Sequence, residues 1–527
     1  MTWPPPRWAA ALLALASGLA AGLAHPPFGL LPGLLGFGLM MRLVDEAAPA
    51  RPLRSAFLRG WLAGVGYFAT GVWWVTEPFQ VDPGQTWMAP FALVFMAAGL
   101  ALFWGAAAAL YRWSRPRGFG RVIAFAGALA TLEWARGHVL TGFPWNLPGE
   151  AWPAGSPPSQ AAAVMGVYGL TWLTVLLAAI PALAFDAAPR ARRAVAVGLA
   201  VLGTAALYAG GALRLAHARP LDEPRPVIRI VQANIDQKEK WRPENLSQVV
   251  ATYTALSRAP AQVSPDVVIW PEGALPAVIN DLLAPGSPYV GLIADALEPG
   301  QTLMMGANRA EAGPNGQDRY FNSLIAMRRD AEGLRVTGIY DKWRLVPFGE
   351  FLPLGKIASQ IGLRSLVRMP DDFTGGAFPR PLTPDGLPPV QPLICYEALF
   401  PRITAKAGEA AGIRPRWIVN VSNDAWFGFT SGPLQHLNMA AYRAIEEGLP
   451  MVRATPTGVS AVIDAFGRIA PKSRLELGKM GIIDASLPPR LQATLYSRFA
   501  ECVFGVMLLF SALCMGATRF AKVQGGG

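Results

Sequence analysis

A carboxylate, an ammonium and a thiol each follow a strand-like run of the sequence: Glu272 after Val267–Pro271, Lys342 after Val336–Asp341, and Cys395 after Val390–Ile394. In α/β folds, functional groups gather where strands end and loops begin. The three groups have complementary chemistry. The thiol attacks a carbonyl, the carboxylate removes the thiol proton, and the ammonium stabilises the oxyanion. Cys502 and Cys514 fall in the last apolar run, which leaves Cys395 alone in its segment. An unpaired thiol in an oxidising compartment is a liability unless it is used. The competing reading is a buried cysteine acting as a small hydrophobe. Glu272 sits in Ile269-Trp270-Pro271-Glu272-Gly273, an apolar setting suited to a general base, although an ordinary strand-end carboxylate fits the same residues. Lys342 taken alone reads as a surface lysine paired with Asp341.

The chain that must position these groups has 527 residues, enough for at least two domains. Apolar residues make up 52% and charged residues 15%, against roughly 25% charged in soluble proteins. With a mean hydropathy of +0.30, this excludes a disordered chain and argues against a purely soluble one. Three cysteines exclude a disulfide-built scaffold. The net charge of +11 is unevenly spread: Met1–Arg219 carries 15 Lys+Arg against 7 Asp+Glu, and Pro220–Ser497 carries 28 against 27. The basic excess therefore lies in the apolar parts, where membrane topology explains it and a nucleic-acid partner does not.

Apolar runs near Trp8–Ala24, Pro27–Leu43, Phe57–Thr76, Met88–Tyr111, Arg121–Val139, Ala162–Phe185 and Ala194–Leu213 predict seven transmembrane helices within residues 1–219. An eighth, about Phe499–Ala517, falls in the last segment, 498–527, with a short cytoplasmic tail behind it. The His25-Pro26-Pro27 link suggests a helical hairpin at the start, and six further spans weigh against a cleaved signal peptide. Alternate loops carry Arg42, Arg51, Arg54 and Arg59, then Arg112, Arg115, Arg117 and Arg121, then Arg190, Arg192 and Arg193; the loops between carry Glu77 and Asp82, then Arg136 and Glu150. The positive-inside rule puts the first set and the amino terminus in the cytoplasm, and Pro220–Ser497 on the other side. The eighth crossing returns Arg519 and Lys522 to the cytoplasm.

Residues 220–497 have the character of a soluble domain. Val227–Val231, Asp266–Trp270 and Trp417–Val421 read as buried strands, with helical stretches Glu244–Arg258 and Leu434–Glu447 between them, so an α/β domain is expected. Four scattered histidines and three cysteines do not make a metal site, no phosphate loop is visible, and no cofactor is expected. Glu133 and Arg136 are costly in lipid and are expected to pair or to face a polar cavity. His436 reads as structural.

Three ordered blocks carry a resemblance: Trp270-Pro271-Glu272; Tyr340-Asp341-Lys342 followed by Leu345-Val346-Pro347-Phe348-Gly349-Glu350; and Ile394-Cys395-Tyr396-Glu397. They resemble the nitrilase superfamily. The flanking membrane runs, with Ser422-Asn423-Asp424-Ala425-Trp426-Phe427-Gly428 and Gln435-His436, make the whole chain resemble the apolipoprotein N-acyltransferase family. The resemblance implies a multi-pass α-helical membrane domain plus an αββα sandwich, with Glu272, Lys342 and Cys395 as a catalytic triad. It matches Glu350 to a second glutamate that holds the lysine, Trp241 to an early loop tryptophan, and Tyr396 and Glu397 to the pair after the nucleophile. One departure is visible at Glu446-Glu447-Gly448-Leu449-Pro450, where many relatives carry an arginine before the proline, and it puts the local packing in question.

The reaction implied is ping-pong. Cys395 takes a fatty acyl chain from a membrane phospholipid as a thioester and passes it to the α-amine of a diacylated apolipoprotein, with Lys342 and the Tyr396 N–H at the oxyanion. Trp241, Trp343, Phe348, Phe351, Trp426 and Phe427 are candidates for a lipid-accessible pocket, with ordinary core packing as the alternative for each. Membrane lipid, donor phospholipid and acceptor lipoprotein are the expected partners of a monomer in the bacterial inner membrane, its catalytic domain in the periplasm. A membrane-tethered amidohydrolase using the same triad, and a transporter or receptor with a retired enzyme domain, are the other readings.

Overall fold

The computed structural model describes residues 3–81, 83–114, 117–313, 316–351 and 372–523; Asp82, Arg115 and the side chains of Arg519 and Lys522, on which the expected topology partly rests, lie outside the described set. The chain divides into two compact units. One comprises Met1–Arg219, Phe427–Glu446 and Ala493–Gly527, the other Pro220–Trp426 and Glu447–Gln492.

The first unit is helical: α1 (Arg7–Gly22), α2 (Gly36–Asp45), α3 (Pro52–Gly71), α4 (Ala89–Ser114), α5 (Gly120–Arg136), α6 (Ala162–Ala179) and α7 (Arg190–His217), with the helix Cys502–Val523 near the carboxyl end. Pro83–Ser114, Pro158–Phe185 and Arg190–His217 are long and apolar enough to cross a membrane, and Arg7–Gly22 and Cys502–Gly516 are shorter apolar helices. Outward-facing Phe91, Val94 and Phe95 on α4, Val201 and Leu202 on α7, and Leu509, Phe510 and Leu513 on the last helix are exposed. Such surface suits lipid and not water. The expected span Pro27–Leu43 is not one helix: a 3-10 segment over Leu31–Leu35 precedes α2. Pro32 opens that segment, and its missing N–H and ring disfavour a continuous α-helix there.

Small residues set the helix spacing. A Cβ added at Gly18 of α1 would lie 1.6 Å from the Ala63 carbonyl oxygen of α3, the close backbone approach that glycine permits between membrane helices. Glu133 and Arg136 pair with each other in α5, and the Trp104 indole N–H donates to Glu133 Oε1 at 2.8 Å. Each charge therefore has a partner inside the bundle, as a buried charge requires.

The second unit is built on two sheets. The first has six strands in the order β11-β1-β2-β3-β4-β5, the second five in the order β10-β9-β8-β7-β6. Their ranges are β1 (Val227–Gln232), β2 (Val267–Trp270), β3 (Thr302–Ala312), β4 (Asp318–Asp330), β5 (Gly333–Asp341), β6 (Val390–Ile394), β7 (Trp417–Val421), β8 (Met451–Ala454), β9 (Ser460–Ile463), β10 (Ile469–Leu475) and β11 (Gly481–Ser486). β1, β2 and β3 run parallel, as do β6, β7 and β8. Parallel strands are buried on both faces, which is why they read as unbroken apolar runs. Ile228, Ile230, Ile269 and Met304 of one sheet pack with Ile394, Val419, Val421 and Val452 of the other. Val231, Val268 and Trp270 face the helix Leu246–Ser257 through Val249, Val250 and Tyr253. The architecture is the expected αββα sandwich on a multi-pass membrane chain. At the unusual Glu447–Pro450 turn, Gly448 takes φ +67°. Arg414 donates to the Glu447 carbonyl at 3.0 Å, and the Leu491 N–H to that of Gly448 at 2.8 Å, so both carbonyls of the departing sequence have donors.

Candidate active site

Glu272, Lys342 and Cys395 leave the ends of β2, β5 and β6. Glu272 comes close against the neighbouring strand: a Cβ at Gly306 of β3 would stand 2.5 Å from its Cα, so only glycine fits. Lys342 continues the β4–β5 pairing through its N–H to the Asn322 carbonyl at 2.8 Å. Cys395 opens a 3-10 turn over Cys395–Leu399 with φ +49°. A non-glycine residue in that region is strained and needs its surroundings to hold it.

Glu397 does the holding. It is fully buried. Its Oε2 accepts the Ile394 N–H at 2.7 Å, and its Oε1 accepts the Trp343 N–H at 2.9 Å and the Tyr340 hydroxyl at 3.0 Å. One carboxylate thus ties the strand end that carries the thiol to the strand end that carries the lysine. Burial raises the Glu397 carboxyl to about 7, against the pull of these N–H donors and of Lys342.

The lysine lies between two carboxylates. Lys342 Nζ donates to Glu350 Oε1 at 2.8 Å and to Glu272 Oε1 at 3.3 Å, and it is essentially inaccessible to solvent. Burial alone would lower its proton affinity, but Glu350, Glu272 and Cys395 outweigh burial and hold it above the ordinary lysine value. Glu350 Oε2 is fixed by the Val346 N–H at 2.8 Å. Asn322 Nδ2 donates to both carboxylates, at 2.7 Å to Glu272 and 2.8 Å to Glu350. Glu272 Oε1 is therefore pinned, whereas its buried Oε2 accepts no hydrogen bond among the described residues. One oxygen orients the group and the other is left to take a proton. Cys395 is half-buried. Its thiol is pushed up to about 12, first by burial and then by the Glu272 charge, with Lys342 and the Ser422 hydroxyl pulling the other way.

Two partners were not read from the sequence. Asn322 sits in a buried strand among Phe321, Leu324 and Ile325, and a polar residue in such a run was the available signal. Lys240 is buried and donates to the Gly273 carbonyl just after Glu272. Burial lowers its ammonium to about 8, partly offset by Glu272.

The expected aromatics occupy different settings. Trp241, Phe348 and Trp426 are exposed, Trp343 packs edge-on against Phe378 at 5.3 Å, and the Phe351 carbonyl accepts the Phe348 N–H. Tyr396 is buried against Phe400. Phe427 is buried in the helical unit with Trp74 at 4.6 Å and Trp145 at 5.5 Å. His436 joins that cluster. Among the described residues no cluster of metal-ligating side chains occurs.

Comparison with known proteins bears on both units of the chain. Residues 17–180 match the family described as apolipoprotein N-acyltransferase N-terminal domain, and residues 227–496 match the carbon-nitrogen hydrolase family. An apolipoprotein N-acyltransferase of Caulobacter vibrioides is 54% identical across 98% of this chain and 96% of its own length. Those of Bradyrhizobium diazoefficiens and Brucella melitensis are 38% and 39% identical, covering 99% and 91% of this chain and 97% and 90% of their own. With helical and sandwich units both accounted for and the likeness running from end to end, the chain belongs to the apolipoprotein N-acyltransferase family.

Proposed function

We propose that this enzyme moves a fatty acyl chain from a membrane phospholipid to the α-amine of the diacylglyceryl-cysteine at the start of an apolipoprotein, through a thioester on Cys395. The observation that carries this is the split role of Glu272, with Oε1 held by Asn322 and Oε2 free of partners among the described residues. The thiol proton passes to Glu272 as sulfur attacks the donor ester carbonyl, and Lys342 stabilises the oxyanion. Collapse expels the lyso-lipid alkoxide, which takes the proton from Glu272, leaving the thioester. In the second half the neutral amine attacks, its proton goes to Glu272, and the departing thiolate takes it back. Glu350 and Asn322 keep the lysine and the base in place in both halves. Cys395 is thus one nucleophile used twice.

The segment Pro220–Ser497, which carries the triad, works on the periplasmic side of the inner membrane in this reading, supported by the arginine-rich alternate loops. Both substrates are lipids, which accounts for a soluble-type fold carried on apolar helices. Purified enzyme incubated with phospholipid and no acceptor should gain the mass of one acyl chain, mapped to Cys395 and released by neutral hydroxylamine. A diacylated lipopeptide with a free amino terminus should then discharge it into an amide. Steady release of free fatty acid with little adduct would identify a hydrolase instead, and transfer without any adduct on Cys395 would defeat the ping-pong scheme.

A further inference from the structure

Behind the nucleophile lies a polar chain that the reaction as written does not use. Leu393, Asn420 and Arg453 stand side by side in register on β6, β7 and β8. Asn420 Nδ2 donates to the Leu393 carbonyl at 2.8 Å, and Arg453 Nη1 donates to Asn420 Oδ1. Arg453 Nη2 also grips both oxygens of Asp424, at 2.9 and 2.7 Å. The Ser422 hydroxyl donates to Asp424 Oδ1 at 2.8 Å; Ser422 follows Val421, the register partner of Ile394, which sets it beside Cys395, whose thiol it pulls down. The path thus leaves β6 two residues before the thiol, crosses three strands and returns to the thiol itself.

Asn420, Ser422, Asp424 and Arg453 are all 0% exposed. A Cβ at Gly458 would lie 2.6 Å from the Asp424 Cβ, so the carboxylate is packed closely from that side too. A buried ion pair adds little net stability over an apolar replacement, and conformational specificity is its best-attested use. Here that specificity converges on a single hydroxyl. Asp424 is held on two oxygens by Arg453 and has little freedom, so it fixes where the Ser422 oxygen lies. The hydroxyl has one proton. While sulfur is a thiol, the proton goes to Asp424 and the oxygen is free to accept from S–H. When sulfur gains negative charge in attack or release, the hydroxyl can turn and donate to it.

We propose that Ser422, held by the Asp424–Arg453 pair, is a positioning residue that sets the direction of the Cys395 sulfur and supports its developing negative charge. The inference rests on Cys395 being the nucleophile. Glu272, Lys342 and Asp424 are charged groups that act on the sulfur, and Ser422 is a neutral donor beside them.

The test uses full-length enzyme in phospholipid-containing detergent micelles, as Ser422→Ala and Ser422→Thr. A hydrogen bond to a charged group typically sets rates by about tenfold to a hundredfold. Ser422→Ala should slow acyl loading by that factor, with KM for phospholipid unchanged, and should slow iodoacetamide alkylation of Cys395 in parallel. Ser422→Thr keeps the hydroxyl and should restore both rates to within about threefold of the parent. Wild-type loading and alkylation in Ser422→Ala would overturn the proposal. So would equal impairment of the alanine and threonine variants, which would mark a purely steric role. Alkylation needs no acyl chemistry, so it reports on Ser422 even if the parent enzyme never forms the thioester; absence of the adduct would refute the transfer reading alone.

Discussion

Replacing Lys342 by Met removes the cation to which both Glu272 and Glu350 are bonded. Glu272 Oε1 and Glu350 Oε1 both accept from Asn322 Nδ2, at 2.7 and 2.8 Å, which places them within about 5.5 Å of each other. At that separation two negative charges repel by about 3 kcal/mol at an effective dielectric constant of 20. Breaking a buried pair by deleting one partner is typically put at 3–5 kcal/mol, of the same size. Met fills the volume of the lysine stem, so packing is conserved and the electrostatic change dominates.

The pH dependence gives the sign. Protonating either carboxylate removes the repulsion, so the folded variant takes up a proton that its unfolded chain does not hold. Relative to the parent, which keeps the ammonium between the two carboxylates, its stability therefore falls as pH rises. At roughly 2–4 °C per kcal/mol, the variant should melt about 6–12 °C below the parent at pH 8 and recover much of the gap at pH 5. Loss of the oxyanion donor should also slow acyl loading by about 10²–10³ at least. Melting followed by intrinsic fluorescence in detergent at both pH values, beside single-turnover loading, checks both claims. Equal melting temperatures at pH 8, or a gap that does not narrow on acidification, would refute the account of Lys342 as the cation between two carboxylates.

Cys395→Ala should abolish transfer outright, and Glu272→Gln should slow loading by about 10²–10⁴, the usual worth of a positioned base, while melting within a few degrees of the parent because Gln still accepts from Asn322. Burial and the Glu272 charge raise the Cys395 thiol to about 12, so its alkylation rate should still be climbing at pH 10, where an ordinary thiol has levelled off above about 8.5; a plateau near pH 9 would contradict the electrostatics described. Reporters fused after Arg54, Arg117 and Arg192 should read as cytoplasmic and those within Pro220–Ser497 should not; a cytoplasmic signal from the latter would overturn the periplasmic assignment.

The three strand-end groups were legible because residue type and position along the chain are enough to notice them. Asn322 was not, because its role depends on the β3–β4–β5 register that sets it between Glu272 and Glu350. Glu397 could be seen as part of a motif, but not as the tie between β5 and β6, since those strands are separated by a long connection. The helix Gly432–Glu447 shows the limit of reading polarity as exposure. Its Gln435, Asn438, Tyr442 and Glu446 recur at helical spacing. They bond to Trp145, to the Ala154 N–H and Glu150 carbonyl, to the Gly149 and Trp152 carbonyls, and to the Val167 N–H. A polar stripe facing irregular backbone is buried for the hydrogen bonds it supplies, and no local pattern distinguishes it from one facing water.

Charge accounting explains why a cysteine so unwilling to ionise suits this chemistry. Lys342 is already committed to Glu350 at 2.8 Å. Releasing the thiol proton to solvent would leave a negative charge in a buried place beside Glu272, and the raised thiol value expresses that cost. Passing the proton to Glu272 Oε2 leaves the net charge unchanged. Attack and proton transfer are therefore coupled, and the sulfur becomes nucleophilic only when a carbonyl is there to accept it. In the proposed reaction the same accounting bears on the thioester. Water attacking it must also give up a proton to Glu272. An incoming amine is the stronger nucleophile and needs no prior ionisation. In the proposed reaction, selectivity for transfer over hydrolysis then falls to the nucleophilicity of the acceptor, since the triad can serve both reactions.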